Sequence, residues 1–201
     1  MADLADRLRS ALAVRGRPSS DHDLNPDMRP SPERTLRRSA VLIPVIDRPA
    51  NASVILTKRS SALKHHPGQI AFPGGKVDEA DDGAVGAALR EAREEIGLDR
   101  RHVDVLGTLP PHETVTGFQV TPVLALVTAD FKARPEPGEV AEAFEAPLDH
   151  VMNPARFLIE SRRWRGRRRL YFVVPWGPYY IWGATARILR ALADRMSNVE
   201  T

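Results

Sequence analysis

GGKVDEADDGAVGAALREAREEIGL, from Gly74 to Leu98, is a glycine turn, an acidic loop and one amphipathic helix. Val85, Ala88, Leu89, Ala92 and Ile96 recur at i, i+3, i+4, i+7 and i+11, which is a single apolar stripe. Asp81 and Asp82 stand where N-cap oxygens are expected, and Gly97 where a helix needs a left-handed residue to stop. Glu91, Glu94 and Glu95 fall in one arc beside the stripe. Like charges at i, i+3 and i+4 repel by a few tenths of a kcal/mol per pair. Two readings answer that repulsion. Arg90 and Arg93 can make the helix a salt-bridged surface element, with Arg90 and Glu94 paired at i, i+4. Alternatively, a hard divalent cation such as Mg2+ or Mn2+ can gather the carboxylates. The Pro73-Gly74-Gly75 turn favours the cation, because glycine lets backbone approach a ligand closely and leaves its carbonyls available.

The run Arg90-Glu91-Ala92-Arg93-Glu94-Glu95-Ile96-Gly97-Leu98 resembles the second half of the Nudix box, R-E-U-x-E-E-x-G-U with U apolar. The first half departs from the common form: Gly75 lies one residue early and Asp82 replaces the usual Glu. The coenzyme A pyrophosphatases within the family are similar in both respects. Upstream, Thr57, Arg59-Ser60, Leu63, His66, Gly68-Gln69 and Phe72-Pro73-Gly74-Gly75 also resemble that subfamily. Downstream, Leu109-Pro110-Pro111, Thr114-Val115-Thr116-Gly117-Phe118 and Val120-Thr121-Pro122 do so again, with Phe118 where a Tyr is usual. Glu139-Val140-Ala141-Glu142-Ala143-Phe144 and Ile181-Trp182-Gly183-Ala184-Thr185-Ala186 are two further subfamily-like runs.

The resemblance implies an α/β/α sandwich with a mixed sheet between helices. It implies an enzyme, a pyrophosphohydrolase acting on acid anhydrides in phosphorus-containing compounds. Glu91, Glu94, Glu95 and the Gly75 carbonyl would hold Mg2+ or Mn2+. Arg90 would orient the carboxylates, and Glu94 or Glu139 would take the proton of the attacking water; the choice between them stays open. The implied substrate is coenzyme A or a derivative, cleaved to 3′,5′-ADP and 4′-phosphopantetheine or its acyl form. Arg59, Ser60, His66, Gln69, Thr116 and Phe118 would bind it: a guanidinium fork for phosphate, hydrogen-bonding side chains and an aromatic face for adenine. Another nucleoside diphosphate such as ADP-ribose is the alternative substrate. A non-catalytic ligand- or RNA-binding module is the alternative function, although the retained Arg90, Glu91, Glu94 and Glu95 argue for catalysis.

Composition bounds these readings. A chain of 201 residues, 42% hydrophobic and 27% charged, is long enough for one domain with a core plus extensions. It has no cysteine, which excludes disulfides, thiolate metal sites and cysteine nucleophiles and suits a cytoplasmic location. No apolar run reaches membrane-spanning length, and no apolar signal core opens the chain. The net charge of +3 is too small to make nucleic acid the expected partner. Six arginines crowd Arg162-Arg163, Arg165 and Arg167-Arg168-Arg169, and either a solvated hairpin tip or a phosphate contact accounts for them.

Along the chain, Ala2–Val14 reads as a helix with Leu4, Leu8 and Leu12 on one face, packed on the domain or on a partner copy, so that a homodimer stays open. Residues 1–35 are an extension, with a Pro-rich linker or wrap from Gly16 to Arg34; residues 36–196 form the main domain. Strands are expected over Ser39–Ile46 paired antiparallel with Ser53–Lys58, then over Gln69–Phe72, Val103–Leu109 and Gln119–Val127. Arg156–Glu160 and Leu170–Val174 read as a hairpin, Asp130–Glu139 as a polar loop and Tyr179–Met196 as the last helix.

Overall fold

The computed structural model describes residues 3–31, 33–48, 51–128, 130–164 and 166–199. In chain order the elements are α1 (Leu4–Ala13), β1 (Ser19–Ser20), β2 (Arg37–Ile46), β3 (Ser53–Arg59), β4 (Ile70–Ala71), β5 (Gly74–Lys76) and α2 (Gly83–Ile96). Then follow β6 (Val103–Thr108), β7 (His112–Glu113), β8 (Phe118–Val127), β9 (Val140–Pro147), α3 (Leu148–Val151), β10 (Leu158–Trp164), β11 (Arg167–Val173) and α4 (Gly183–Val199).

Among the described residues, β1 to β9 form one mixed sheet, and β10 and β11 form a separate hairpin. The spine is β2 beside β8, parallel from Arg37↔Phe118 to Ile46↔Val127. From Ala40 in β2 and Pro122 in β8 onward both strands are wholly apolar, because both faces of the sheet are covered there. On one face Ala40, Leu42, Ile46, Val123, Ala125 and Val127 meet Ala88, Leu89, Ala92 and Ile96 of α2. On the other, Ile43, Val45 and Leu124 belong to a cluster with Leu8 of α1 and Leu189 and Leu192 of α4. The result is a sheet between helices. No helix among the described residues is long and apolar enough to cross a membrane.

The expected β2–β3 pairing is antiparallel but short, limited to Val45↔Val54 and Ile46↔Ser53. The other end of β2 pairs with β5, from Ser39↔Lys76 to Val41↔Gly74. Pro44, which has no N–H, falls in the gap between those two partners. The connection expected there includes Pro49 and Ala50, which lie outside the described residues. Strand β9 went unread: its Ala- and Glu-rich sequence has low strand propensity, yet it pairs with β3 from Ser53↔Pro147 to Arg59↔Val140. The last helix begins at Gly183, four residues later than expected, because Gly183 is left-handed at φ 64° and Trp176 and Tyr179 form a bridged turn before it.

The N-terminal wrap is built into the domain. Ser19 and Ser20 pair in parallel with His112 and Glu113. Asn25 then clamps Leu170 of the hairpin: its amide nitrogen donates to the Leu170 carbonyl at 2.8 Å, and its amide oxygen accepts from the Leu170 N–H at 2.8 Å.

Candidate active site

Helix α2 carries the acidic site. Its C-terminus closes on Gly97 at φ 70°, with the Leu98 amide reaching back to the Ala92 carbonyl at 3.2 Å. At the N-terminus neither Asp81 nor Asp82 caps with its side chain. The Asp81 carboxylate instead accepts from Nε and Nη2 along one edge of the Arg90 guanidinium, at 2.9 and 3.0 Å, and from the Asp78 amide at 2.8 Å. Arg90 also donates to Glu91 (3.0 Å), Glu94 (3.1 Å) and the Lys76 carbonyl (3.1 Å). It thus ties the helix to the acidic loop. The Asp81 fork and the neighbouring carboxylates hold the Arg90 pKa above its ordinary range.

Glu91, Glu95 and Glu139 come together: each offers an oxygen, and these lie within 4.8 Å of one another. Glu95 is buried at 4% exposure, and its Oε2 accepts from the Gly74 amide at 3.1 Å. Burial pushes its carboxyl up to about 7, against the pull of that amide. Burial likewise raises Glu91, with Arg90 pulling the other way. Glu95 makes no ion pair among the described residues. Three converging oxygens with too little positive charge beside them are a donor set suited to a hard divalent cation.

Glycine at position 75 has a steric reason that composition does not reveal. A Cβ there would sit 2.2 Å from Glu91 Oε1. Glu139 arrives on the 130–139 loop, which is bound to α2 through the Glu136 amide and the Glu95 carbonyl (2.9 Å). Glu94 stands apart from the three: its side chain is 56% exposed and its carboxylate is engaged by Arg90.

A cleft of about 810 Å³ opens beside this group and reaches the β10–β11 hairpin. Arg59, His66, Gln69, Thr116 and Phe118 line it, as do Gly74 and Gly75. Arg59 Nε is buried without a hydrogen-bond partner. His66 is left-handed at φ 55°, a strained conformation for a non-glycine residue. Partial burial and the Arg59 cation lower its pKa. Ser60 does not reach the cleft. Its hydroxyl accepts from the Ala62 amide (3.3 Å), and its own amide donates to the Glu139 carbonyl (2.8 Å), so it sets the turn that holds Glu139.

Several lining residues carried no sequence signal. Arg37 lies 4.0 Å over the Phe118 ring and donates to the Thr116 carbonyl at 3.0 Å. Asp21, from the wrap, accepts from the Val115 amide (2.9 Å) and sits 3.3 Å from His112 Nε2 and 3.4 Å from Arg169. Burial pulls the Asp21 carboxyl up, but His112, Val115 and Arg169 together bring it below its ordinary value.

A domain profile described as NUDIX domain matches residues 36–169. The chain belongs to the Nudix hydrolases. It is 43% identical to the uncharacterized Nudix hydrolase NudL of Cronobacter sakazakii over 157 residues, 78% of this chain and 81% of the relative. It is 42% identical to the NudL of Pectobacterium atrosepticum over 177 residues, 87% and 90% of the two chains. Among solved structures, the MutT protein from Methanosarcina mazei Go1 matches with TM-score 0.53 at 18% identity, over 85% of this chain and 99% of that one. A MutT/nudix family protein from Enterococcus faecalis matches with TM-score 0.54 at 13% identity, over 98% and 76%. The mixed sheet between helices is therefore the Nudix fold, and the enzyme class is pyrophosphohydrolase, with the Nudix box on α2.

Proposed function

We propose that this Nudix hydrolase cleaves the diphosphate linkage of coenzyme A or its derivatives, releasing 3′,5′-ADP and 4′-phosphopantetheine or its acyl form. One observation carries the reading beyond the three sequence signatures: the charge of the cleft. Arg37, Arg59, Lys76, Arg162 and Arg169 line it against one lining carboxylate, Asp21, while Arg187, also on the wall, is paired with Asp23. That excess suits a substrate with more negative charge than a diphosphate alone. Phe118, with Arg37 on one ring face, offers a stacking site for adenine.

Mg2+ or Mn2+ is the proposed ion, held by Glu91 and Glu95 with the Gly75 carbonyl; Glu94, expected in this set, is turned to Arg90 instead. When bound, such an ion neutralises diphosphate charge and lowers the pKa of a water at the reacting phosphorus. Arg90 fixes the α2 carboxylates against the acidic loop. Arg59, on the cleft wall, donates from its guanidinium to a phosphate oxygen. Glu139, exposed and beside Glu91 and Glu95, accepts the proton of the attacking water; Glu94, committed to Arg90, is the alternative base.

The test offers coenzyme A, ADP-ribose and RNA to the purified protein with Mg2+ or Mn2+ and resolves products by chromatography. Release of 3′,5′-ADP from coenzyme A is expected. Equal turnover of ADP-ribose, or no 3′,5′-ADP, refutes the substrate assignment.

A further inference from the structure

The β10–β11 hairpin divides its arginines between two faces. In the antiparallel register Arg162 lies opposite Arg169, and Arg163 opposite Arg168. Neighbouring residues on a strand point to opposite sides, so the two pairs face opposite ways. Arg162 and Arg169 line the cleft; Arg163 and Arg168 do not. Like charges directly opposite each other on one sheet face are destabilising. The hairpin therefore directs a repulsive pair into the same cavity that Gly74 and Gly75 line.

The two members of that pair are held differently. Arg169 is 12% exposed and leans on Asp21 at 3.4 Å. The Arg162 side chain makes no ion pair and no hydrogen bond among the described residues. Its guanidinium lies over the Trp182 ring at 4.4 Å and the Trp164 ring at 5.3 Å. Stacking covers the face of a guanidinium and leaves its in-plane N–H donors exposed, the edge that matches a phosphate. Nearby, Arg187 already donates to Asp23 at 2.8 Å. Arg162 is thus a preoriented cation whose donors have no protein acceptor.

Resting on the coenzyme A reading, we propose that Arg162 and Arg169 recognise a phosphomonoester that the substrate carries apart from its diphosphate, with Arg162 as the selecting residue. In coenzyme A this group is the 3′-phosphate. A phosphomonoester approaches two negative charges at neutral pH, enough to offset both guanidinium groups. Arg163 and Arg168, on the opposite face of the hairpin, take no part.

The experiment compares coenzyme A with dephospho-coenzyme A, which lacks only that phosphate. Wild type should favour coenzyme A. In R162Q that preference in kcat/KM should fall about ten- to a hundredfold, as expected for a lost charge-assisted hydrogen bond, with the change in KM. R162K, which keeps the charge without the planar fork, should retain part of the preference, and R163Q all of it. Equal loss on both substrates, or an unchanged ratio in R162Q, overturns the proposal. Binding of 3′,5′-ADP and 5′-AMP, followed by calorimetry without turnover, separates the two claims. If neither coenzyme A compound is hydrolysed, the substrate reading fails; tighter binding of 3′,5′-ADP that R162Q abolishes would still sustain the arginine pair. Equal binding of the two nucleotides to wild type refutes it.

Discussion

Replacing Glu95 by Gln should make the metal-free protein more stable above neutral pH while destroying its activity. Glu95 is buried, and its carboxyl is pushed up to about 7 from an ordinary 4.5. A group whose pKa is raised by folding stabilises the fold fully below its unfolded value and loses that contribution as pH rises through the folded one. The window for wild type therefore runs from about pH 4.5 to pH 7. At about 1.36 kcal/mol per pH unit, that interval corresponds to about 3 kcal/mol. Gln keeps an oxygen to accept the Gly74 amide but buries an unpartnered NH2, which removes about 1 kcal/mol of the gain. The net expectation is about 2 kcal/mol at pH 8, or about 4–8 °C in Tm for a chain of this size. The assay is thermal unfolding of chelator-treated protein from pH 5 to pH 8, with and without added Mn2+. Mn2+ should raise the Tm of wild type and leave that of E95Q unchanged, because a cation bound only by the native state stabilises by mass action. A wild-type Tm that is flat across this range, or an E95Q protein less stable than wild type at pH 8, would refute the reasoning.

Three further outcomes are expected. G75A places a methyl group 2.2 Å from Glu91 Oε1, so turnover should fall more than about a hundredfold while the circular dichroism spectrum stays native. With Glu139 as the base, E139Q should lower kcat by about 10²–10⁴, and E94Q by less than tenfold, in pre-steady-state assays; the reverse order would make Glu94 the base. N25A leaves the Leu170 N–H and C=O without their side-chain partner and should lower stability by about 2 kcal/mol. Hydrogen exchange should then speed up first at the β10–β11 amides.

How much of this was legible depends on the kind of signal. The α2 stripe and its stop were plain, because a 3.6-residue period and a left-handed glycine are local properties. The acidic arc was only partly so. Periodicity puts Glu91, Glu94 and Glu95 on one side, but the guanidinium of Arg90 holds Glu94 at the surface while Glu139 completes the group from a distant loop. Only the resemblance pointed to Glu139. Ser60 fitted a ligand role by type, yet it is buried in the turn beside Glu139. Arg37 and Asp21 were invisible, because each acquires its place from a partner far away in the chain; the arginine cluster was visible, but not which two of its members line the cleft. Arg165, part of that cluster, lies outside the described residues.

The Asn25–Leu170 clamp joins residues 145 positions apart, and both lie outside the span 36–169 that the domain profile covers. The same is true of Asp21, Trp182 and Arg187 on the cleft wall. The enzyme thus has a division of labour along its length. The shared domain carries both the acidic group and the cleft arginines Arg162 and Arg169, while the two flanks hold those arginines in place, Asp21 beside Arg169 and Trp182 under Arg162. A graft of residues 36–169 alone would carry the arginines across without the Asp21 and Trp182 that brace them.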